Sequence, residues 1–142
     1  MTKILFVCHG NICRSPMAEY VLKDMAQKAG VSLEIASVAT SCEELGNPVY
    51  PPALRELQKH GVPVGKHRAR QITRGDVERF DRIYYMDSRN ARNLARMFPK
   101  DTDKFQPFLP RDVADPWYSG DFSQTWEDIL AGCTAILKEL DT

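Results

Sequence analysis

Cys8 and Arg14 stand at the two ends of the run Cys8-His9-Gly10-Asn11-Ile12-Cys13-Arg14-Ser15, with Pro16 directly behind it. A thiol and a guanidinium with five residues between them can share one anion, because the planar fork of Arg14 reaches two phosphate oxygens at once, which a lysine cannot do. Lys3-Ile-Leu-Phe-Val7 ahead of the run reads as a buried strand, and Pro16 opens an amphipathic helix. A strand, a tight loop and a helix N-terminus aim backbone N–H groups at one point, and phosphate is the natural occupant of that point. The same field favours a thiolate at Cys8, and a thiolate is a nucleophile. Gly10 is the position expected to let the backbone turn tightly and approach the ligand. Without its flanks the spacing would be ordinary, since a free cysteine is usually a small buried hydrophobe. The strand before it and the helix after it make the pattern informative.

The elements that hold this loop are legible in hydrophobic spacing. Ala18, Val21, Leu22, Met25, Ala26 and Ala29 recur at helical intervals, and Gly30 sits where a left-handed C-terminal cap belongs. Leu33 to Thr40 is expected as a second strand, Pro51-Pro52 opens a short helix with Leu54 and Leu57 that Gly61 stops, and Arg82 to Met86 is a third strand. The helix Ser88 to Phe98 carries Ala91, Leu94, Ala95 and Phe98 on one face and ends at Pro99. Lys104 to Leu109 is expected as a short last strand, kept to an edge by Pro107. Trp126, Ile129, Leu130, Cys133, Ile136, Leu137 and Leu140 form an apolar stripe on a C-terminal helix. Strands alternating with helices imply a mainly parallel sheet covered on both faces. Ligands of such sheets bind beyond the carboxyl ends of the strands, where the Cys8 loop, Thr40-Ser41 and Asp87 all fall. Pro99 to Phe122 is the one long irregular stretch, and a loop of that length in so short a chain points to function.

A chain of 142 residues, 43% apolar and 27% charged, is sized for one compact domain. Its nineteen Lys and Arg balance nineteen Asp and Glu, which argues against nucleic acid as a partner. The apolar run at positions 4 to 7 is too short for a signal peptide, and no run could span a membrane, so a soluble cytoplasmic protein is expected. The cysteines at 8, 13, 42 and 133 fit neither a disulfide scaffold nor a zinc module, which leaves reduced thiols.

Cys8-His-Gly-Asn-Ile-Cys-Arg-Ser-Pro16, taken with Asp115-Pro-Trp-Tyr118 and Gly120, resembles the low-molecular-weight protein tyrosine phosphatases. The likeness runs through Gly46-Asn-Pro-Val-Tyr-Pro-Pro52 and Tyr85-Met-Asp87, and so covers essentially the whole chain. It implies a single α/β domain over residues 1–142: three layers, with a four-stranded parallel sheet and helices on both faces, flavodoxin-like and of the phosphotyrosine phosphatase I type. It also implies that Cys8 attacks phosphorus to form a phosphocysteine, that Arg14 and the loop N–H groups bind the phosphoryl group, and that Asp115 protonates the leaving phenol and then activates water. A phenolate is a poor leaving group beside a dianionic phosphoryl centre, so the step needs such an acid. By the same resemblance His9, Gly10, Asn11, Ile12, Cys13 and Ser15 line or brace the phosphate loop, Ser15 donates toward the Cys8 sulfur, and Ile12 floors the cleft. Trp117 and Tyr118 would form an aromatic wall for a phenyl ring, and His67 and Asp87 would be outer partners of the network. The implied substrate is a phosphotyrosine protein or aryl phosphate, with phosphate as product. No cofactor or metal is expected, because the thiolate, Arg14 and the loop dipoles supply the charges, and the chain is expected as a monomer or weak dimer.

Cys13 reads either as a small residue packed under the loop or, the preferred reading, as a thiol that traps Cys8 in a disulfide on oxidation, since a loop around phosphate can bring the two Cα atoms within the roughly 7 Å a disulfide allows. His9 and Glu43 depart from the family pattern, and carboxylates on that rim would repel acidic peptides or favour basic ones. Arsenate reductases of this fold need further cysteines, and Asp87 to Phe98 has none. Protein arginine phosphatases tend to carry threonine in place of Ile12, whose apolar side chain suits a phenyl ring better than a guanidinium. A phosphate-binding module without catalysis would need neither Cys8 nor Asp115.

Overall fold

Thr2–Cys8 (β1) turns Ile4, Phe6 and Cys8 to one side and Leu5 and Val7 to the other, and all five are buried. A strand apolar on both faces must be covered on both faces. In the computed structural model, which describes residues 1–140, β1 lies between Leu33–Ala39 (β2) and Arg82–Tyr85 (β3), and Phe105–Pro107 (β4) forms the far edge. The sheet order is β2-β1-β3-β4, and every pairing is parallel. The chain runs outward from β1 to β2 and then crosses back to β3, so strand order reverses at β1, whose carboxyl end is Cys8. That reversal opens the crevice in which ligands of such sheets bind.

One face is covered by Arg14–Ala29 (α1), Pro51–Lys59 (α2) and a C-terminal helix, Phe122–Leu140. Met17, Val21 and Leu22 of α1 meet Ile129, Cys133 and Ile136 over Ile4 and Phe6. The other face is covered by Arg74–Arg79 (α3) and Ser88–Met97 (α4), whose Val77 and Leu94 pack with Phe80 on Leu5, Val7, Val38 and Ile83. A one-turn helix, Pro116–Ser119 (α5), precedes the C-terminal helix, which is therefore α6. Among the described residues no helix is long and apolar enough to cross a membrane.

Several expected boundaries shift. The first helix begins at Arg14 rather than Pro16, which places Arg14 and Ser15 in its first turn, and Gly30 caps it in the left-handed region at φ 70°. The last strand shrinks to three residues, with Pro107 on the edge where its missing N–H costs no ladder bond. Helix α3 was not expected, although Thr73 and Asp76 close a reciprocal capping box at its start. Leu130 leaves the apolar stripe and is exposed, while Gly132 is buried against the ring of Phe108.

Candidate active site

The loop after β1 closes around the Cys8 sulfur. Its Sγ is approached by the backbone N–H of Asn11 at 3.3 Å and of Ser15 at 3.4 Å, and lies 3.0 Å from the Ser15 hydroxyl. Two N–H donors and a hydroxyl thus converge on one sulfur in a place water barely reaches, since Cys8 is 3% exposed. The N–H groups of Gly10, Ile12 and Cys13 have no hydrogen-bond partner among the described residues. Unpaired donors in a loop at a helix N-terminus form a cradle for an oxyanion. The tight turn is not where the sequence suggested: Asn11, not Gly10, takes the left-handed conformation, at φ 60°. Gly10 matters through contact, because a Cβ there would stand 3.3 Å from Glu44 Cγ.

Asn11 is fully buried and is held from three sides. Its Nδ2 donates to the hydroxyls of Ser15 at 2.8 Å and Ser37 at 2.9 Å, its Oδ1 accepts from the Arg70 N–H at 3.2 Å, and its carbonyl accepts from His67 Nε2 at 2.7 Å. A carbonyl only accepts, so Nε2 of His67 carries the proton. Ser37 in turn donates to the buried carboxylate of Glu19 at 2.6 Å, which also takes Lys23 at 2.6 Å. A continuous chain therefore runs from Glu19 through Ser37, Asn11 and Ser15 to Cys8. His67 and Ser15 both hydrogen-bond within this network. Ser37, Glu19 and Arg70 were not legible in the sequence, because each enters from a separate strand, helix or loop and carries no motif of its own.

Arg14 is 2% exposed, and its fork is fixed. Nη1 donates to Asp87 Oδ2 at 2.7 Å and to the Val113 carbonyl at 2.8 Å, while Nη2 reaches Asp115 Oδ2 at 3.4 Å. Burial alone would lower the guanidinium pKa, but Cys8, Asp115 and Asp87 outweigh it and push the value up, so the charge is permanent. Asp87 sits at the carboxyl end of β3 and caps α4, sharing a reciprocal box with the buried Asn90. The orientation of Arg14 is thus set by a strand end and a helix start. Nε and the second hydrogen of Nη2 are left for an anion.

Asp115 caps α5 by accepting from the Trp117 N–H at 3.0 Å, and its other oxygen faces Arg14. The cleft between this carboxylate and Cys8 is walled by Ile12, Trp117 and Tyr118. Trp117 and Tyr118 are 51% and 76% exposed, a large cost for core residues but the proper state of a wall awaiting a ring. Tyr50, within the Gly46 to Pro52 segment that carries the family likeness, backs Trp117 with ring centroids 4.7 Å apart. On the opposite rim His9 Nε2 pairs with Glu43 at 2.8 Å, and Glu44 stands beside them. Cys13 is a buried free thiol packed with Ile12 and Ala69, and burial, then the neighbouring Cys8, push its pKa up. Among the described residues no group of three or more His, Cys, Asp or Glu side chains is placed to hold a metal ion.

Comparison with known proteins agrees with this geometry. A relative from Bacillus subtilis, low molecular weight protein-tyrosine-phosphatase YfkJ, is 35% identical over 99% of this chain and 96% of its own. The solved structure of a low molecular weight protein tyrosine phosphatase from Streptococcus pyogenes is 39% identical and superposes with a TM-score of 0.93 over 99% of this chain and 93% of that one. A Drosophila arginine phosphatase superposes with a TM-score of 0.89 at 29% identity, covering 99% of each chain. The family model for low molecular weight phosphotyrosine protein phosphatase matches residues 3–142, and the chain belongs to that family.

Proposed function

We propose that this chain, as one phosphatase domain over residues 1–142, hydrolyses phosphotyrosine in proteins and other aryl phosphate monoesters through a phosphocysteine on Cys8. The observation that carries this reading is the convergence on one cleft of Cys8 and Arg14, from the loop after β1, with Asp115, from the distant segment before α5. Phosphate binding alone needs neither a nucleophile beneath the cradle nor a carboxylate across from it.

The reaction follows from the positions. The loop N–H groups and the free edge of Arg14 hold the three non-bridging oxygens, and Cys8 Sγ lies behind phosphorus. The sulfur attacks, the aryl oxygen departs on the Asp115 side, and Asp115 gives it a proton. Charge on the equatorial oxygens stays matched by donors that need not reorganise. Asp115, now a carboxylate, takes a proton from water as that water attacks the phosphocysteine, releasing phosphate and restoring the thiolate. The Ser15 hydroxyl, 3.0 Å from Sγ, steadies sulfur as the leaving group of this second step.

Ile12 and the exposed Trp117 and Tyr118 favour a phenyl ring over a guanidinium. The arginine-phosphatase reading keeps support from the Drosophila structure, and substrate assay separates the two. Turnover of phosphotyrosine, phosphoserine and phosphoarginine peptides is measured side by side with Cys8→Ser and Asp115→Asn as controls. Phosphotyrosine is expected to lead, with no turnover in Cys8→Ser. A preference for phosphoarginine moves the substrate, and activity surviving in Cys8→Ser overturns the mechanism. Peroxide treatment followed by mass mapping tests Cys13, where a Cys8–Cys13 bridge is the expected product.

A further inference from the structure

A groove of about 640 Å³ opens beside the active-site cleft, and the two share His9 and Glu43 as a common rim. Its far wall is the outer face of α4. Arg89, Arg92 and Arg96 stand there at helical spacing, all exposed, and all line the groove. Arg89 and Arg92 have no carboxylate partner among the described residues, and Arg96 touches only the neutral side chain of Asn93. The groove's other residues are neutral, apart from His9 and Glu43 on the shared rim, which hydrogen-bond each other at 2.8 Å, so three guanidiniums face one carboxylate. Three exposed guanidiniums without a carboxylate partner on one groove wall leave that wall net positive.

We propose that this groove is a specificity subsite that binds acidic side chains of the phosphotyrosine peptide, a reading that rests on the phosphatase function above. α4 begins next to Asp87, which grips Arg14, so the arginine row leads directly away from the phosphate cradle. From Arg89 to Arg96 the helix rises about 10 Å, the length of about three residues of extended peptide. Glu43 stands on the rim that separates the cleft from the groove, and Glu44 lines the cleft. A carboxylate next to phosphotyrosine would face those glutamates, while one about three residues on would face the arginines. The expected preference is therefore for acidic residues at a distance from phosphotyrosine and not beside it. The Glu43 rim would still repel acidic residues close to phosphotyrosine or favour basic ones there.

The test compares three phosphotyrosine peptides of one length, with Glu, Gln or Lys at the third to fifth positions from phosphotyrosine on either side. Each is assayed on the native chain and on the triple variant Arg89→Gln, Arg92→Gln, Arg96→Gln, with p-nitrophenyl phosphate, too small to reach α4, as the internal reference. The native chain is expected to show kcat/KM about tenfold higher for the Glu peptide than for the Gln peptide at low salt, from three exposed ion pairs. That ratio should shrink toward one at high salt and in the triple variant. Glu and Gln peptides turned over alike at low salt would overturn the proposal, as would a Glu preference that survives in the triple variant. Either result with p-nitrophenyl phosphate still hydrolysed leaves the phosphatase reading standing, whereas loss of that activity in the native chain brings down both.

Discussion

Replacing Asn11 is the most searching perturbation of the loop, because this side chain alone ties it to β2, α1 and the segment before α3. Asn11→Ala removes two donated hydrogen bonds and one accepted from Arg70. At about 1 kcal/mol each the loss is about 3 kcal/mol, and the stranded partners raise it further. The backbone at φ 60° adds about 1 kcal/mol, since alanine lacks the tolerance of asparagine for the left-handed region. A total of about 4 kcal/mol is a large share of the roughly 5–15 kcal/mol that holds a domain together. Asn11→Gly loses the same hydrogen bonds but not the backbone fit, so it should fall about 1 kcal/mol short of the alanine variant. Urea unfolding of the three proteins measures both differences, and kcat/KM should fall about 100-fold as the donors around Cys8 move. A loss under about 1 kcal/mol in Asn11→Ala, with turnover near native, would refute the claim that this network positions the loop.

Asp115→Asn should lower kcat by about 10²–10⁴-fold on phosphotyrosine, and by much less on aryl phosphates with strongly acidic phenols, which leave without a proton; equal losses would remove Asp115 as the acid. Burial, then Glu19, raise the Tyr20 pKa from 10.0 to about 12. The unfolded chain thus releases this proton first, and the contribution of Tyr20 to stability is complete below pH 10 and is lost as pH rises toward 12. Unfolding measured across that window should show a slope that Tyr20→Phe flattens. Gly132→Ala would put a Cβ 2.2 Å from the Phe108 ring, so it should cost about 1–3 kcal/mol or more, while Ala131→Gly on the same helix costs only about 1 kcal/mol.

The chemistry was legible where it is local. Cys8, Arg14 and Ser15 lie within one turn of chain, and strand, loop and helix start all carry their own signals. The bracing network was not legible, because its members are remote in sequence and look ordinary there. Ser37 reads as a break in the alternation of β2, yet its hydroxyl links Asn11 to Glu19. Glu19 and Lys23 stand four residues apart, the spacing of an ordinary surface pair, yet Glu19 is buried. A carboxylate amid the apolar positions Ala18, Val21 and Leu22 was the available clue. Gly10 drew the role of the tight turn because glycine has no Cβ, but hydrogen bonds hold Asn11 in the left-handed region instead. Helix α3 announced itself in Thr73 and Asp76, three residues apart, and lacked only a long enough apolar stripe to be noticed.

The central claim is that Cys8 carries the phosphoryl group between two half-reactions. Rapid acid quench of the native chain during turnover of a phosphotyrosine peptide, followed by digestion and mass spectrometry, tests it most directly. One phosphoryl group is expected on Cys8, more of it when water attack is slowed in Asp115→Asn, and none in Cys8→Ser. Turnover with no phosphoryl group on Cys8 at any quench time, or with the group on another residue, would contradict it.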